Sequence, residues 1–507
     1  MTTHKKLRTI IAAMTAAGIL CTMPAGFAAE ATPTAAAQPA AQTATAAPAE
    51  TTSKPFAAVR VGKKWGAVTP SGNLAIPAEY DEIASYSADA VAVRKGKTWG
   101  IVRLDGTVIV PAIYKAIHPL AADTIIVQNT KDMYGAYDTA GNVLLPVEYR
   151  SVTPFYDGIS RVERKDKKFV FYRRDGSLLT SDAYLWASRF SEGLAVVEPT
   201  KNKMGYIDTN GSEAIPVRFE NAMIFQEGLA PVTVKKKWGF IDKSGTMVIQ
   251  PQFRAKSIGG FSDGLAMIKE KKHWAFIDKT GAKVIQTRYE DVDSFENGLA
   301  EVRREVKVGL LGGFLTSAVS FATGIPTFGV GTDLIGEKVK RGYIDKTGAE
   351  IISTKNDYNS FFMDGVALVR VKSKWGMVDR KGAYVVEPKY KGIHFFYDDL
   401  AAVQDGDKWG FVGRDGKIVI EPKYDEVHDF TDGIAAVRQG GKSFFIDKTG
   451  RVPFLLPNNI TDIGMFRDGF APVKIGDKWG FIDKTGTVVI PPAYTEVRTH
   501  QVTTDSL

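Results

Sequence analysis

The chain has 507 residues, of which 44% are hydrophobic and 24% are charged, and its formal net charge is +8 at pH 7. This composition is typical of a soluble globular protein, and it excludes a wholly disordered chain, a collagen-like chain and a membrane protein with many spans. The 65 Lys and Arg side chains are scattered through predicted turns and form no stripe that could follow a phosphate backbone. Nucleic acid is therefore not an expected partner.

An N-terminal leader is predicted over residues 1–28. Three basic side chains lie among the first eight residues, an apolar stretch follows from Thr9 to Leu20, and small residues continue to Ala28. This order is typical of a secretory signal peptide that is cleaved after Ala28. We expect a protein that is exported to the periplasm, to the cell surface or to the medium. Because the only cysteine, Cys21, lies inside the leader, the mature chain would have no disulfide and no thiol nucleophile.

Two segments outside the leader are predicted to lack a core of their own. Residues 29–54 are rich in Ala, Thr and Pro and offer few side chains for burial. Burial of so little apolar surface cannot offset the entropy of ordering the segment, so we predict a disordered linker. Residues 498–507 form a polar tail.

Residues 55–497 consist of one unit repeated about twelve times. A glycine in a tight turn marks each copy, and successive glycines are 34 to 36 residues apart except for one step of 67. These glycines are Gly72, Gly106, Gly141, Gly176, Gly211, Gly245, Gly281, Gly348, Gly382, Gly416, Gly450 and Gly486. A constant period of this length predicts a tandem repeat protein, and the strand periodicity excludes a helical repeat.

The last copy shows the predicted unit most clearly. A short strand runs from Trp479 to Asp483, a turn ends at Gly486, and a return strand begins at Val488. Pro491 is expected to end the return strand, because proline cannot donate a hydrogen bond to a β-ladder. A longer connection, which has room for a fourth short strand, leads to a third strand. The predicted fold class is therefore all-β, built from antiparallel β-meanders.

Seven of the eight tryptophans occupy the same position in their copies, namely Trp65, Trp99, Trp238, Trp274, Trp375, Trp409 and Trp479. A large aromatic side chain that recurs in this way is most simply explained by packing between neighbouring units. The glycine that follows it in most copies would allow close approach of another backbone. A row of exposed aromatic rings that stack on sugars is the alternative interpretation.

The sequence resembles the bacterial WG-repeat family, whose units are also called KWG repeats, over roughly residues 56–497. The resemblance is carried by the repeated triplet Lys-Trp-Gly at residues 64–66, 237–239, 374–376, 408–410 and 478–480, and by the Asp-Lys-x-Gly turns that follow. It implies an all-β repeat fold and a role in interaction with other molecules, and it implies no reaction. The fourth and eleventh copies depart from the pattern and are expected to be distorted.

The two ends of the array suggest how it closes. Residues 56–63 form a strand that has no partner before it, and the last copy ends near Val497 without that strand. In a β-propeller the N-terminal strand could complete the last blade and remove the free edges. An open β-superhelix is the alternative, because twelve units exceed the usual four to eight blades.

Residues 305–341 are an apolar, Gly-rich insertion that interrupts the seventh copy. The stretch from 308 to 332 contains no charged side chain. A loop that covers the array, a loop that docks a partner or touches a membrane, and a disordered excursion all remain open. No transmembrane span is expected in the mature protein, because similar repeats flank the insertion. As a docking loop it would offer six large apolar side chains to a partner: Leu310, Leu311, Phe314, Leu315, Phe321 and Phe328.

The search for catalytic and metal-binding patterns points to no enzyme. The patterns of serine hydrolases, zinc proteases, phosphate-binding loops and EF-hands do not occur in the sequence. The recurrent Asp-x-x-Gly segments predict structural turns, since each offers one acidic ligand and calcium prefers six to eight oxygens. His394 and His428 lie at equivalent positions of adjacent copies and could share a metal, but a variable loop position is the simpler interpretation. We predict no catalytic residue, no cofactor and no metal site.

These observations favour an exported, non-catalytic scaffold that binds an envelope or extracellular protein. A module that binds the cell wall or another glycan is the first alternative. A hydrolase with its active site in a propeller funnel is the second.

Overall fold

The computed structural model describes residues 57–87, 89–305 and 339–498. The regular structure in these ranges consists of 46 β-strands in twelve antiparallel sheets, ten with four strands and two with three. The sheets follow one another around a closed ring, so the protein is a twelve-bladed β-propeller. We number the sheets 1 to 12 in chain order. Within the described ranges, no helix is long and apolar enough to cross a membrane.

The strands of each sheet are given in their order of pairing. Sheets 1 to 4 contain β46 (Glu496–Arg498), β1 (Ala57–Val61), β2 (Lys64–Val68) and β3 (Leu74–Tyr80); β4 (Glu82–Ser87), β5 (Ala90–Lys95), β6 (Thr98–Arg103) and β7 (Val108–Tyr114); β8 (Ala116–Ile117), β9 (Thr124–Gln128), β10 (Tyr134–Asp138) and β11 (Val143–Tyr149); β12 (Ser151–Val152), β13 (Ile159–Glu163) and β14 (Phe169–Arg173). Sheets 5 to 8 contain β15 (Trp186–Ala187), β16 (Leu194–Thr200), β17 (Lys203–Asp208) and β18 (Glu213–Phe219); β19 (Asn221–Ala222), β20 (Ala230–Val234), β21 (Lys237–Ile241) and β22 (Met247–Phe253); β23 (Ser257–Ser262), β24 (Leu265–Glu270), β25 (His273–Ile277) and β26 (Lys283–Gln286); β27 (Asp291–Val292), β28 (Leu299–Glu305), β29 (Val339–Asp345) and β30 (Glu350–Ile352). Sheets 9 to 12 contain β31 (Tyr358–Met363), β32 (Val366–Val371), β33 (Lys374–Asp379) and β34 (Tyr384–Tyr390); β35 (Gly392–Tyr397), β36 (Leu400–Asp405), β37 (Lys408–Gly413) and β38 (Ile418–Tyr424); β39 (Glu426–Val427), β40 (Ile434–Gln439) and β41 (Lys442–Asp447); β42 (Ile460–Ile463), β43 (Phe470–Ile475), β44 (Lys478–Asp483) and β45 (Val488–Tyr494).

The second and third strands of each sheet form its core. In sheet 10, the first four residues of β36 are all buried, so side chains on both faces of the strand are covered. A sheet is buried on both faces only when neighbouring layers pack against each of them, which here are the two adjacent sheets. This explains why the second strands read as continuous apolar runs and do not alternate between apolar and polar residues.

The turn glycines that define the repeat also join neighbouring sheets. Gly382 has a φ of +81°, and a β-carbon at this position would lie 2.6 Å from the carbonyl oxygen of Ile351 in sheet 8. Gly106 meets Ala75 of sheet 1 in the same way, at 2.7 Å. Glycine is therefore needed both for the left-handed backbone and for the close approach to the preceding sheet.

The closed ring confirms the propeller interpretation and overturns the open superhelix. Strand β1 pairs with β46, so Val59 lies opposite Val497 and the two ends of the array share one sheet. The guanidinium of Arg60 donates a hydrogen bond to Glu496 at 2.9 Å, and the guanidinium of Arg498 lies 4.1 Å from the ring centroid of Trp65. The first sheet is thus completed by the last strand, and closure leaves no sheet unpartnered on either side.

The strand boundaries correct one expectation from the sequence. Pro491 does not end the return strand, because β45 continues to Tyr494, which pairs with Trp479. The pairing shifts between Trp479 and Phe481, so Pro491 and Pro492 fall in a bulge whose residues need not donate to the ladder. The connection to the next sheet is then only one residue long, and the fourth strand allowed for in the sequence is the first strand of that next sheet.

The two copies that depart from the repeat pattern form the two three-stranded sheets, as expected. Sheet 4 contains Phe169 and Val170 in place of Trp-Gly, and it has no fourth strand. In sheet 11, Pro453 and the residues up to Pro457 follow the turn, and no strand forms there. The loss of a regular fourth strand is therefore linked to the altered residues in each copy.

The Asp-x-x-Gly turns are closed by their own carboxylates, which confirms their structural role. Oδ1 of Asp483 accepts hydrogen bonds from the N–H groups of Thr485 at 2.9 Å and Thr487 at 3.1 Å, and from the hydroxyl of Thr485 at 2.6 Å. Hydrogen bonds to the charged form, above all from the Thr485 hydroxyl, lower the pKa of Asp483. Asp242, Asp278, Asp345 and Asp447 have lowered pKa values for the same reason.

These turns predict that the protein loses stability in acid. A carboxyl group in an unfolded chain has a pKa of about 4, and in the five turns the folded value is lower. The unfolded chain therefore binds more protons between these values, so stability is complete above about pH 5 and falls as the pH drops through the folded values. We expect the urea midpoint to be lower at about pH 3 than at about pH 7. Equal midpoints would contradict this role, and replacement of the five residues by Asn should flatten the pH dependence.

Candidate functional site

The recurrent tryptophans are packing residues. Trp65, Trp274 and Trp375 keep only 2%, 6% and 4% of their surface exposed, and the other four are partly buried at the same position. In five sheets a Lys or Arg of the second strand lies over the indole ring, as Arg370 does over Trp375 at 5.7 Å. The interpretation of this series as a row of sugar-stacking platforms is therefore wrong, because the rings are covered by protein.

The first strands contain the positions that vary most from sheet to sheet. In sheets 2 to 12 the first strand leads to a large apolar side chain that packs in the core, such as Phe396 in sheet 10 and Phe430 in sheet 11. The residue just before it differs around the ring: Ser85, Pro119, Pro154, Arg189, Ile224, Gly260, Ser294, Phe361, Phe395, Asp429 and Met465. Because the fold constrains the buried position and leaves the preceding one free, the preceding positions can carry specificity.

Two adjacent members of this variable series are phenylalanines, and they form a stacked pair of one exposed and one partly buried ring. Phe361 is 58% exposed, and its ring stacks on that of Phe395 with a centroid distance of 6.1 Å and an angle of 26° between the planes. Tyr397 follows on the same strand as Phe395 and is 42% exposed. We call Phe361, Phe395 and Tyr397 the aromatic patch. It lies on first strands of sheets 9 and 10, which hold the rings in place without a flexible loop.

Polar groups border the aromatic patch. Nδ1 of His394 lies 2.8 Å from Oδ1 of Asp429, and the imidazole packs on Trp409 with a centroid distance of 5.0 Å. Burial raises the pKa of Tyr397, and the negative charge of Asp429 adds to that shift. The site therefore combines flat apolar rings with one carboxylate, one imidazole and one phenol, which can bind a partner by stacking and by hydrogen bonds.

One of the two histidines considered from the sequence has a carboxylate as its partner. His394 pairs with Asp429 of the next sheet, which is the neighbour of His428 along the chain. Within the described ranges, no group of three or more His, Cys, Asp or Glu side chains is placed to hold a metal ion. His118, at the equivalent position in sheet 3, is half-buried against Tyr134, and burial lowers its pKa.

The predicted docking side chains of the insertion lie outside the described residues. These are Leu310, Leu311, Phe314, Leu315, Phe321 and Phe328. The described residues do show where the insertion joins the ring. Glu305 at the end of β28 pairs with Val339 at the start of β29, so the insertion replaces the short turn between the second and third strands of sheet 8.

The irregular sheet 4 leaves one further concave feature. A cavity of about 390 Å³ is lined by residues of β11 and β14 and of the turn between β13 and β14. Its lining is strongly charged and includes Glu148, Arg164, Lys165 and Asp166. The sequence could not have revealed it beyond the expected distortion, and neither could it reveal the aromatic patch, because Phe361 and Phe395 meet only when sheets 9 and 10 stack.

The repeat seen in the fold is matched by the family model of the WG-containing repeat. The matches cover residues 65–99, 99–130, 134–169, 204–238, 238–272, 274–305, 342–375, 375–409, 409–442, 444–479 and 479–499, which is most of the chain. The chain belongs to the WG-repeat family. Membership of the family confirms the expected all-β repeat fold. It also fits a repeat protein that is suited to interaction with other molecules. No curated protein matches the chain of this WG-repeat protein.

Several solved structures resemble this WG-repeat protein weakly. A structure of a eukaryotic initiation factor has 12% identity and a TM-score of 0.34, and it covers 78% of this chain and 98% of its own. BamB from Moraxella catarrhalis has 9% identity and a TM-score of 0.28, with 59% and 91% covered. PorZ from Porphyromonas gingivalis has 10% identity and a TM-score of 0.24, with 86% and 80% covered. None of these similarities carries a functional assignment.

Proposed function

We propose that this WG-repeat protein is an exported, non-catalytic scaffold that binds another protein at the bacterial cell envelope. The aromatic patch on sheets 9 and 10 is the observation that carries the interaction role. Export to the envelope rests on the leader predicted over residues 1–28.

The aromatic patch has the properties of a protein-binding hot spot. Aromatic side chains dominate the energetics of protein interfaces, where a few large rings enter pockets of the partner. Phe361 is 58% exposed beside a second ring, whereas the equivalent positions of most other sheets are small or polar. Exposed apolar side chains that touch one another mark binding surfaces more often than isolated ones do. Because both rings lie on strands, little conformational entropy is lost when a partner binds.

A non-catalytic role is supported by the way the acidic side chains are used. The carboxylates of the recurrent turns accept hydrogen bonds from their own turn, as that of Asp483 does from Thr485. Others bridge adjacent sheets, as Asp398 does to the N–H of Gly433 at 2.7 Å. These carboxylates hold the ring together and repeat around it, which suits a scaffold more than a single reaction centre.

A pull-down from envelope extract tests the proposal. The bait is the predicted mature chain, residues 29–507, and the variant carries Phe361→Ala and Phe395→Ala. We expect capture of a partner to fall at least tenfold in the variant, since loss of two hot-spot rings costs several kcal/mol of binding. The matched control is Leu455→Ala, because Leu455 is 88% exposed and lies far along the chain from the patch. Equal capture by the double variant and the control would contradict the patch as the binding site.

A third bait tests the insertion in the same extract. Residues 306–338 are replaced by Gly-Gly, the turn that joins β40 and β41 at residues 440–441. The pairing of Glu305 with Val339 should keep the sheet intact. We propose that the six apolar side chains of the insertion also contact a partner, so this bait should lose a captured protein. Capture that is unchanged would contradict their role while leaving the test of the aromatic patch independent.

A glycan-binding module is the second candidate, and the same site favours it by its chemistry. Phe395 of the stacked pair shares β35 with Tyr397, whose phenol interacts with the charge of Asp429, and sugars are bound by ring stacking combined with hydrogen bonds to groups of this kind. Binding of soluble wall fragments that is lost in the double Phe variant, with no protein captured, would favour this candidate over the scaffold.

A further inference from the structure

The topology collects lysines that are scattered along the sequence. In an antiparallel sheet, the turns between the second and third strands all lie at one end of the strands, and rotation around the ring brings these ends to one rim. Eleven such turns are described, and each contains a lysine or has one directly beside it. With one flanking residue on either side, the eleven turns hold 21 Lys or Arg and seven Asp or Glu. We call this set the lysine rim. The basic side chains are thus scattered along the sequence, as the sequence analysis states. In the folded ring, however, many of them are gathered at one rim.

At the opposite ends of the strands, the loops between the first and second strands have the reverse charge, although the Asp-x-x-Gly turns beside them also contain lysines. The eleven described loops between first and second strands, counted in the same way, hold fourteen Asp or Glu and two Arg. These loops lie side by side around the ring. The carboxylate of Glu192 accepts a hydrogen bond from the N–H of Gly228 at 3.1 Å, and that of Asp432 does so from Gly469 at 2.7 Å. We call them the acidic loops, and the ring is therefore polarised from one rim to the other.

Many lysines of the lysine rim make no ion pair that would hold the fold together. Some do, since Lys64 pairs with Asp81 at 2.6 Å and thereby joins sheets 1 and 2. Others are exposed, and within the described ranges their amines lie within 4 Å of no carboxylate. Examples from six different sheets are Lys63, Lys97, Lys131, Lys201, Lys272 and Lys374. Charges that are placed on one rim without partners raise the self-repulsion of the fold, so a ligand that neutralises them would stabilise it.

We propose that the lysine rim docks the ring on the surface of an anionic phospholipid bilayer. The positive charges are spread around a whole rim and are not gathered in a pocket, which fits an extended anionic surface better than a small ligand. Twenty of the 21 basic side chains are lysine. Lysine acts as a hydrated point charge, whereas tight recognition of single phosphates or carboxylates favours the planar fork of arginine. Polybasic segments near anionic lipids gain affinity from each lysine that approaches the surface.

The charge polarity fixes the orientation on the bilayer. The acidic loops would be repelled by anionic headgroups, so only the lysine rim can face the membrane. A soluble acidic protein would match part of the rim, but it would neutralise only those sheets that it covers. A bilayer can approach every sheet at once, which is the reason for preferring it.

Vesicle sedimentation tests the proposal with residues 52–507, which form a compact unit of their own. The probe is a vesicle of equal parts phosphatidylcholine and phosphatidylglycerol, compared with pure phosphatidylcholine at low salt. The lysine-rim variant replaces Lys63, Lys97, Lys131, Lys201, Lys272 and Lys374 by Gln. The matched control replaces Lys243, Lys346, Lys381, Lys417, Lys448 and Lys484 by Gln, which removes the same charge from turns at the opposite ends of the strands.

We expect the parent protein to bind the anionic vesicles and not the neutral ones, with affinity that falls as salt is raised. The lysine-rim variant should bind at least tenfold more weakly, while the control binds as the parent does. Equal loss in both variants would overturn the proposal, since net charge alone would then explain binding. It would also be overturned if the parent bound soluble polyglutamate and no vesicles, which would assign the rim to an acidic protein. Thermal unfolding of both variants verifies that they are folded.

Discussion

Truncation of the chain after Tyr494 is expected to open the ring and to lower the free energy of unfolding by roughly 3–5 kcal/mol. The deletion removes β46, which supplies the first strand of sheet 1. It breaks the pairing of β1 with Glu496, Val497 and Arg498, the hydrogen bond from Thr495 N–H to Arg60, and the contact of Arg498 with Trp65. The backbone hydrogen bonds contribute about 1 kcal/mol each and the cation–π contact about 0.5–1 kcal/mol. The exposed Arg60–Glu496 ion pair adds little.

The truncated protein should also associate with itself. Loss of β46 leaves the backbone of β1 unpaired, and an unpaired edge strand is a template for another chain. We expect a lower thermal midpoint together with dimers or larger species in size-exclusion chromatography. Truncation after Arg498 is the matched control, because it removes only residues 499–507 and keeps the pairing of β1 with β46. If both truncations unfolded at the same temperature, the closure would make no energetic contribution and the ring would be held by stacking of sheets alone.

The pairing of the two ends of the array could be predicted from the sequence, because the repeat unit begins one strand out of step with the sheets. The strand from Ala57 to Val61 has no partner before it, and the last copy lacks that strand, so pairing of the ends follows from counting. The sequence could not choose between ring and superhelix, because the small rotation between successive sheets sums over twelve steps. That rotation depends on packing such as the fit of Gly106 against Ala75. No single copy of the repeat contains this information.

The candidate sites could be predicted from the sequence less completely than the fold could. The burial of Trp375 could be inferred from its recurrence, since a large aromatic side chain that returns at one position in seven copies is most simply needed for packing. Phe361 and Phe395 are aromatic like many core residues, and their position outside the fully buried core depends on the bulges that shift pairing between Asn359 and Phe362, and between Ile393 and Phe396. The lysine rim was hidden for another reason. Lysines that lie tens of residues apart in sequence become neighbours only through the symmetry of the ring.

The glycine of the Trp-Gly pair gives the second large expected effect. Gly376 has ordinary backbone angles, yet a β-carbon there would lie 2.5 Å from the carbonyl oxygen of Val386 and 2.7 Å from the nitrogen of Pro388. Both atoms belong to the backbone of β34, so neither can move away without shifting the strand that pairs with Trp375. We expect Gly376→Ala to destabilise the protein by about 3 kcal/mol or more, as overpacking against rigid backbone does.

A second glycine separates this steric requirement from backbone strain. Gly440 has a φ of +57°, and no atom lies within 4 Å of the position of its β-carbon. Gly440→Ala should therefore cost only about 1 kcal/mol, which is the strain of a left-handed non-glycine residue. Thermal unfolding of the two variants compares the two costs directly.

A larger loss of stability for Gly440→Ala would mean that glycine is required in the repeat mainly by the left-handed turns, and not by the tight backbone contact next to the tryptophan. If Gly376→Ala costs more than Gly440→Ala, as we expect, the result explains why glycine follows tryptophan in the repeat. The bulge at the prolines brings the backbone of the fourth strand against the third strand, and only glycine leaves room for that approach.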